Sequence, residues 1–298
     1  MSFDPRGVQP RRTVVVTGAA SGIGRRAAVH LARSGCHVVV VGRSRDRLRG
    51  VVADAGAAAR HGGAATAVPA DLADLTQVRR AAERIGALGP VAALINNAAV
   101  FDLSRRRPKL TVDGIEETFA VNHVTPFVLT AALAPVLDDH AVVVTAASKG
   151  LLALPWLRLD PDDLDSRGQY GPTRAYYRSK IAQLAFTAEL GRRGVHAVAL
   201  RIPSVRVDDD KLVGYPAHLR APYRLKALFA ADPVDIAAQY AGLAAGPAVG
   251  RPAGGDLAAR YIDERGRDVR WTNGTDAPAF GRWLWERTAA LAGDHARP

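Results

Sequence analysis

One short segment, at residues 13–24, constrains the fold of this chain more than any other. It reads Thr-Val-Val-Val-Thr-Gly-Ala-Ala-Ser-Gly-Ile-Gly and is followed by an alanine-rich stretch with helical character. The β-branched run at its start is typical of a buried parallel strand. A strand, a glycine-rich turn and a helix in this order place a dinucleotide pyrophosphate at a helix N-terminus. The segment therefore predicts a dinucleotide-binding fold.

Apolar strand-like runs recur along the chain, at residues 14–16, 38–41, 66–70, 91–95, 141–144, 195–200 and 259–262. Helical patterns lie between them. This alternation predicts a Rossmann-like, doubly wound parallel sheet of about seven strands with helices on both faces. No Pro/Gly/Ser-rich linker and no repeat of fixed period divides the 298 residues. We therefore expect a single domain over residues 1–298, with residues 1–11 flexible.

The end of the second strand-like run indicates which dinucleotide is bound. The adenosine ribose lies there in such folds, and an acidic residue would bond the 2′-hydroxyl of NAD. This chain instead has Gly42-Arg43-Ser44. A guanidinium suits the 2′-phosphate of NADP and can stack on adenine. Arg43 therefore favours NADP over NAD, the alternative being a solvated arginine.

A tyrosine stands four residues before a lysine in the run Tyr176-Tyr177-Arg178-Ser179-Lys180. On a helix this spacing puts Tyr176 and Lys180 on one face, one turn apart. A cationic lysine near a phenol favours the phenolate and lowers the tyrosine pKa from its usual value of about 10. Such a tyrosine can exchange a proton with a reacting carbonyl or alcohol. The alternative interpretation is a packed tyrosine and a surface lysine.

Several motifs occur in the same order as in one known family. Residues 17–24 match its T-G-x-x-x-G-x-G turn, Asp71 its adenine-contacting acid, residues 96–99 its N-N-A-G motif, and residues 176–180 its Y-x-x-x-K. Asn122 matches its active-site asparagine. The chain thus resembles the short-chain dehydrogenase/reductase family over nearly its whole length. Residues 254–263 and 283–286 resemble the retinol-dehydrogenase-like branch of that family.

The resemblance implies a nucleotide site and a catalytic set. The nucleotide-binding residues would be Gly18, Ser21, Gly22, Ile23, Gly24, Arg43, Ser44, Asp71, Leu72, Asn97, Tyr176 and Lys180. In the family, a Tyr is the acid or base on the reacting oxygen and a Lys binds the nicotinamide ribose. A Ser bonds the substrate oxygen, and an Asn holds a water. By resemblance these roles belong to Tyr176, Lys180, Ser148 and Asn122.

The serine position departs from the family pattern. Where the family has a Ser-Ser pair, this chain has Ala146-Ala147, and Ser148 lies one or two residues late. A shift of one residue in an extended strand turns a side chain to the opposite face, although a turn or bulge can turn it back. We assign Ser148 to the substrate oxygen, with Thr145 as the alternative. A second departure is Ser204, which stands where the family often has a glycine facing the nicotinamide.

The net charge of +11 allows a nucleic-acid, membrane or acidic partner, but the basic clusters are dispersed and lack interleaved aromatics. We expect solvated surface, including residues 105–109, and no nucleic-acid or membrane partner. One cysteine, scattered histidines, a polar N-terminus and no apolar run of roughly 18 residues favour a cytoplasmic protein without a metal or a membrane span. The resemblance implies a homodimer or homotetramer.

Together these features predict an NADP-dependent oxidoreductase that interconverts a small-molecule carbonyl and an alcohol. Residues 151–172 and 208–230 mix apolar, charged and proline residues, as expected of loops that cover a substrate. The alternative hypothesis is a nucleotide-binding homologue with weak or no catalysis, acting as a regulator or scaffold. It rests on the alanine pair at 146–147 and on Ser204.

Overall fold

All seven expected strands pair into one parallel sheet in the computed structural model, which describes residues 12–205, 230–245 and 259–296. The sheet order is β3-β2-β1-β4-β5-β6-β7, and every pair of neighbours is parallel. The strands are β1 (Thr13–Thr17), β2 (His37–Gly42), β3 (Ala64–Pro69), β4 (Val91–Asn96), β5 (Leu137–Ser148), β6 (Ala197–Ile202) and β7 (Ala259–Ile262). The predicted fold class is confirmed.

Helices cover both faces of the sheet. In chain order they are α1 (Gly22–Arg33), α2 (Arg45–Ala58), α3 (Leu75–Gly86), α4 (Glu117–Phe119), α5 (Thr125–Leu133), α6 (Pro172–Arg192), α7 (Pro233–Ala245) and α8 (Pro278–Ala292). Helices α1, α2 and α7 pack on one face, and the others pack on the opposite face. Each face therefore has its own apolar core.

Local sequence explains why these elements form. In β1, Val14 and Val16 point into one core and Val15 into the other, as the two-residue period of a strand requires. Helices α6, α7 and α8 all begin at a proline, which is favoured at the first helical position because its missing N–H needs no partner there. Ser44 caps α2 and Asp74 caps α3 through their side-chain oxygens.

The strand order reverses between β1 and β4, which are neighbours at the middle of the sheet. The chain runs outward from β1 through β2 to β3, and then returns to β4 and runs outward on the other side. Loops that follow β1 and β4 diverge at this point and leave a crevice at the carboxyl edge of the sheet. Ligands of open α/β sheets bind in such a crevice.

A single turn of π-helix, Ala120–Val124, interrupts the helical segment between α4 and α5. All five of its residues are buried. A π-turn inserts a residue into the regular helical repeat and often occurs at functional sites. Here it carries Asn122.

The sequence was expected to contain no stretch that could span a membrane. That expectation was wrong, because one stretch has the length and apolar composition of a membrane span. Residues Glu117–Val136 form a 20-residue helical stretch that is long and apolar enough, and 72% of its most apolar window is buried inside the fold. This stretch packs against α3 and α6 in the apolar core. Its apolar character is accounted for by that packing.

The C-terminal helix α8 lies against α6. The Trp285 ring centroid is 4.7 Å from that of Phe127 and 5.9 Å from that of Phe186, and the Arg193 guanidinium stacks 3.8 Å above Trp285. Trp285 is partly buried, and these contacts pack it against the apolar core. The predicted homodimer or homotetramer stays a prediction.

Two predicted segments lie outside the described residues. These are the N-terminal residues 1–11 and, apart from its last residue, the substrate-covering stretch 208–230 with its aromatic residues Tyr215, Tyr223 and Phe229.

The packing of α6 on β7 can be tested at one glycine. A Cβ on Gly191 would lie 2.6 Å from the backbone nitrogen of Ala259, so Gly191→Ala is expected to lower the free energy of unfolding by about 1–3 kcal/mol. Gly50 on α2 has open space around it, and Gly50→Ala is expected to raise stability by about 0.5–1 kcal/mol through helix propensity. Urea midpoints measure both changes. Equal effects of the two substitutions would contradict the close packing at Gly191.

Candidate active site

A pocket of about 630 Å³ opens at the crevice between β1 and β4. Nine of the twelve predicted nucleotide-binding residues line it: Gly18, Ser21, Gly22, Ile23, Arg43, Ser44, Asp71, Leu72 and Asn97. These residues come from the ends of four neighbouring strands and from the turns that follow them. The structure therefore brings together residues that are up to 79 positions apart in the sequence.

The glycine turn is shaped by close backbone contacts. Gly18 has φ +65°, and a Cβ there would lie 2.7 Å from Cα of Ala98. A Cβ on Gly24 would lie 2.6 Å from both Nδ2 of Asn97 and the carbonyl oxygen of Gly18. Larger residues would push the turn away from β4 and fill the cradle. The absence of side chains at these two positions keeps the start of α1 open to a phosphate group.

Hydrogen bonds join the turn to the end of β4. The Thr17 hydroxyl accepts the backbone N–H groups of Asn97 and Ala98, both at 3.1 Å. In return, Nδ2 of Asn97 donates to the Thr17 carbonyl at 2.9 Å. Thr17 was not among the predicted site residues, although it belongs to the motif that contains Gly18. Its role depends on β4, which lies almost 80 residues away in sequence.

The side of the pocket formed after β2 carries unpaired positive charge among the described residues. Arg43 and Arg47 both line the pocket and are exposed, and neither guanidinium has a carboxylate partner among the described residues. Two nearby arginines differ, because Arg25 pairs with Asp54 and Arg49 with Asp46. Arg47 was not among the predicted site residues. Its place in the first turn of the helix that follows Arg43 was the available signal.

Tyr176 and Lys180 lie on the same face of α6, as their spacing predicted. The Lys180 Nζ atom is 5.5 Å from the Tyr176 ring centroid. Lys180 is almost wholly buried, and burial lowers its pKa to about 7. Its Nζ donates to the carbonyl oxygen of Ala146 and to Oε1 of Gln183, each at 2.7 Å. The alternative of a surface lysine is thereby excluded.

Aromatic rings enclose Tyr176 on two sides. The Phe101 ring stacks on it with centroids 4.2 Å apart and planes at 24°. The Tyr177 ring meets it edge-on at 5.2 Å. Phe101 was not predicted as a site residue, because nothing in the sequence shows that the loop after β4 reaches α6.

Asn122 connects that loop to α6. Its Oδ1 accepts the N–H of Val100 at 2.7 Å, and its Nδ2 donates to the Val100 carbonyl at 3.1 Å and to Oγ of Ser179 at 2.9 Å. The Ser179 hydroxyl donates in turn to the Tyr176 carbonyl at 2.6 Å. Both amide hydrogens of Asn122 are therefore engaged within the protein. A water held by Asn122 would bind to one of its oxygen atoms.

The two candidate hydroxyls on β5 have different surroundings. Thr145 is fully buried, and its Oγ1 has no hydrogen-bond partner among the described residues. Ser148, the last residue of β5, is half-buried, and its Oγ accepts the N–H of Gly150 at 3.3 Å. Since the Ser148 oxygen acts as an acceptor there, its own hydrogen remains available to a ligand oxygen.

The basic loop after β4 is less solvated than the sequence suggested. Arg105 is only 18% exposed and forms an ion pair with Glu117 at 2.6 Å, while Lys109 pairs with the same carboxylate at 2.7 Å. The expectation of a solvated loop was therefore wrong for Arg105. The ion pairs attach this loop to α4, immediately before the π-turn that carries Asn122. Among the described residues, no group of three or more His, Cys, Asp or Glu side chains is arranged to hold a metal.

Comparisons with known proteins show the family to which the chain belongs. The sequence model of the family described as short chain dehydrogenase matches residues 12–156. A Streptomyces sp. (strain C5) protein, provisionally named as the daunorubicin C-13 ketoreductase DnrU, is 36% identical over 98% of this chain and 96% of its own length. Retinol dehydrogenase 14 of Mus musculus is 36% identical over 64% of this chain and 58% of that protein, so the match spans little more than half of the mouse enzyme.

A solved structure is similar to this chain in both fold and sequence. The blue fluorescent protein from a metagenomic library, crystallised with NADPH, superposes with a TM-score of 0.61 at 26% identity, covering 85% of this chain and 95% of that one. The near full-length match to the ketoreductase, the seven-stranded sheet and the glycine turn agree with one another. The chain therefore belongs to the short-chain dehydrogenase/reductase family of oxidoreductases that act on CH–OH groups and resembles its retinol-dehydrogenase-like branch.

Proposed function

We propose that this protein is an NADPH-dependent reductase of a small-molecule ketone or aldehyde, with Tyr176 as the proton donor. The observation that carries the proposal is the buried Lys180, held on the same face of α6 as Tyr176. Reduction is favoured as the direction because the relative that spans nearly the whole chain is named as a ketoreductase. The loss of activity on removing the Tyr176 hydroxyl is the direct test.

The pocket residues fit NADP. The cradle at Gly18 and Gly24 leaves the first turn of α1 free for a pyrophosphate, and Arg43 and Arg47 offer two unneutralised guanidinium groups at the adenosine end. Guanidinium groups bind phosphate in bidentate fashion, which suits the 2′-phosphate that distinguishes NADP from NAD. A structural relative binds NADPH. When bound, NADPH supplies the hydride that adds to the carbonyl carbon.

The residues of the chain would then handle the proton and the substrate oxygen. Tyr176 donates a proton to that oxygen, and the Lys180 ammonium stabilises the phenolate left behind. Ser148 donates its free hydroxyl hydrogen to the same oxygen. Asn122 holds the loop after β4 against α6, which keeps Phe101 on the Tyr176 ring and fixes the direction of the phenol.

Tyr176→Phe is expected to lower kcat/KM for carbonyl reduction by about 10²–10⁴, because the proton donor is removed. Tyr177→Phe is the matched control. Its hydroxyl packs against Gly150, and burial raises its pKa, so it is a packing group. Steady-state NADPH oxidation with a panel of ketones and aldehydes measures both variants. Full activity in Tyr176→Phe would refute the assigned role.

Ser148→Ala is expected to lower kcat by about 10²–10³, the loss typical of one donor to a reacting oxygen. Thr145→Val keeps the side-chain volume and removes a hydroxyl that has no partner among the described residues, so activity is expected to remain. The two variants are compared at saturating NADPH. If only Thr145→Val were inactive, the substrate hydrogen bond would belong to Thr145.

Arg43→Ala and Arg47→Ala are each expected to raise the Kd for NADPH about 10- to 100-fold and to leave the Kd for NADH nearly unchanged. Arg49→Ala is the control on the same helix, because Arg49 is already paired with Asp46. Fluorescence titration with NADPH and with NADH measures both Kd values, and their ratio gives the preference for NADPH. A parallel weakening of NADH binding would show that the arginines do not recognise the 2′-phosphate.

A further inference from the structure

Gln183 lies one turn beyond Lys180 on α6 and is fully buried. We propose that Gln183 is a positioning residue: its side-chain amide fixes the Lys180 ammonium group beside Tyr176 without neutralising its charge. The role of Gln183 in placing the ammonium group is inferred from the hydrogen bonds of Lys180. Its kinetic consequence rests on the proposed reductase function.

The position of the ammonium group follows from two hydrogen bonds. Nζ of Lys180 lies 2.7 Å from the carbonyl oxygen of Ala146 on β5 and 2.7 Å from Oε1 of Gln183. An ammonium group has three hydrogens, so one remains after these two contacts. Because a lysine has several rotatable bonds, a single backbone acceptor leaves it several orientations. The Gln183 oxygen, one turn further along the same face of α6, removes this freedom.

The amide of Gln183 is itself oriented by the lysine. An ammonium group can only donate, so the carboxamide must turn its oxygen toward Nζ. The Gln183 Nε2 atom has no hydrogen-bond partner among the described residues, so no competing acceptor there draws the amide into another orientation. One turn further on, the Thr187 hydroxyl donates to the Gln183 carbonyl at 2.8 Å and does not touch the side-chain amide.

Both acceptors of Lys180 are neutral, and this has an electrostatic consequence. Burial lowers the pKa of Lys180 to about 7. A carboxylate at position 183 would oppose this by favouring the ammonium form, but it would also cancel the charge that favours the Tyr176 phenolate. A side chain without an acceptor would not stabilise the ammonium form, so burial would lower the Lys180 pKa further. The amide lies between these extremes, because it solvates the ammonium group and adds no charge.

The other titratable groups near α6 include one histidine and two tyrosines whose neutral forms are favoured by burial. His123 of the π-turn bonds Thr288, and burial lowers its pKa to about 3. Burial raises the pKa of the Tyr261 phenol on β7 to about 12, and burial together with Tyr176 raises that of Tyr240 on α7. Charged groups on these elements form ion pairs: Glu117 with Arg105 and Lys109, Lys149 with Glu264, Arg178 with Asp163, Glu189 with Arg192 and Arg193, and Arg260 with Asp268. Arg201 on β6 and Glu116 before α4 form no ion pair among the described residues, and burial raises the Glu116 pKa.

The first experiment measures the protonation of Lys180 directly and needs no activity. The chain has five lysines, so an NMR titration of side-chain-labelled lysine resolves each, and Lys180→Arg assigns the signal. Gln183→Glu is expected to raise the Lys180 pKa by about 1–3 units and Gln183→Met to lower it by about one unit. Thr187→Val is the control and is expected to leave the Lys180 pKa unchanged. If Gln183→Met does not fold, Gln183→Asn, which withdraws the oxygen by one methylene, takes its place. An unchanged Lys180 pKa in both the Glu and the Met or Asn variants overturns the proposal.

The second experiment reads the consequence in catalysis. For carbonyl reduction the Tyr176–Lys180 pair must keep its protons, so kcat/KM falls as pH rises through the first deprotonation of the pair. The alkaline limb of the kcat/KM–pH profile is expected to move to higher pH in Gln183→Glu and to lower pH in Gln183→Met, by about one pH unit or more. A purely structural role would lower the rate without moving the limb, and that outcome overturns the proposal. A wild type that reduces no carbonyl would refute the reductase function alone, because the NMR titration still decides the role of Gln183.

Discussion

The close contact between the glycine turn and the end of β4 is the constraint on which the rest of the site depends. Thr17 and Asn97 exchange hydrogen bonds across it, and a Cβ on Gly18 or Gly24 would enter it. Because β1 and β4 are adjacent at the reversal of strand order, this contact sets the width of the nucleotide pocket. It also sets where the loop after β4 leaves the sheet. The position of Phe101 relative to Tyr176 follows from that starting point.

The reaction centre is assembled by connections between distant elements. Asn122 binds the backbone of Val100 and the hydroxyl of Ser179, and so joins the loop after β4 to α6. The next residue, His123, bonds Thr288 on the C-terminal helix at 2.8 Å. The π-turn thus contacts the active site on one side and α8 on the other. Displacement of α8 would be transmitted to the residue that holds Phe101 and Tyr176 together.

The sequence predicted most of the fold, because β-branched runs separated by helical patterns suffice to identify buried parallel strands. It predicted β5 less well, since residues 138–140 are polar and exposed yet belong to the strand. Local motifs predicted nine residues that lie together in the pocket at the carboxyl edge of the sheet, and their role in nucleotide binding stays a prediction. The sequence did not identify Thr17, Arg47, Phe101 and Gln183, whose roles depend on side chains of other elements or on the adjacent helical turn. The apolar stretch at 117–136 combines four short helical segments, whose common burial could not be recognised from composition alone.

Burying a lysine is costly unless the protein replaces its hydration. Here two neutral oxygens replace part of that hydration, and burial still lowers the Lys180 pKa to about 7, far below that of a lysine in water. A lysine with such a pKa is only partly protonated near neutral pH. A negative charge placed near its remaining hydrogen would raise that pKa. Under the proposed function, a bound dinucleotide would bring phosphate groups toward Lys180, and their field would favour the ammonium form. Nucleotide binding and protonation of Lys180 should therefore support each other, which would make the chain most strongly cationic at this site when the cofactor is present.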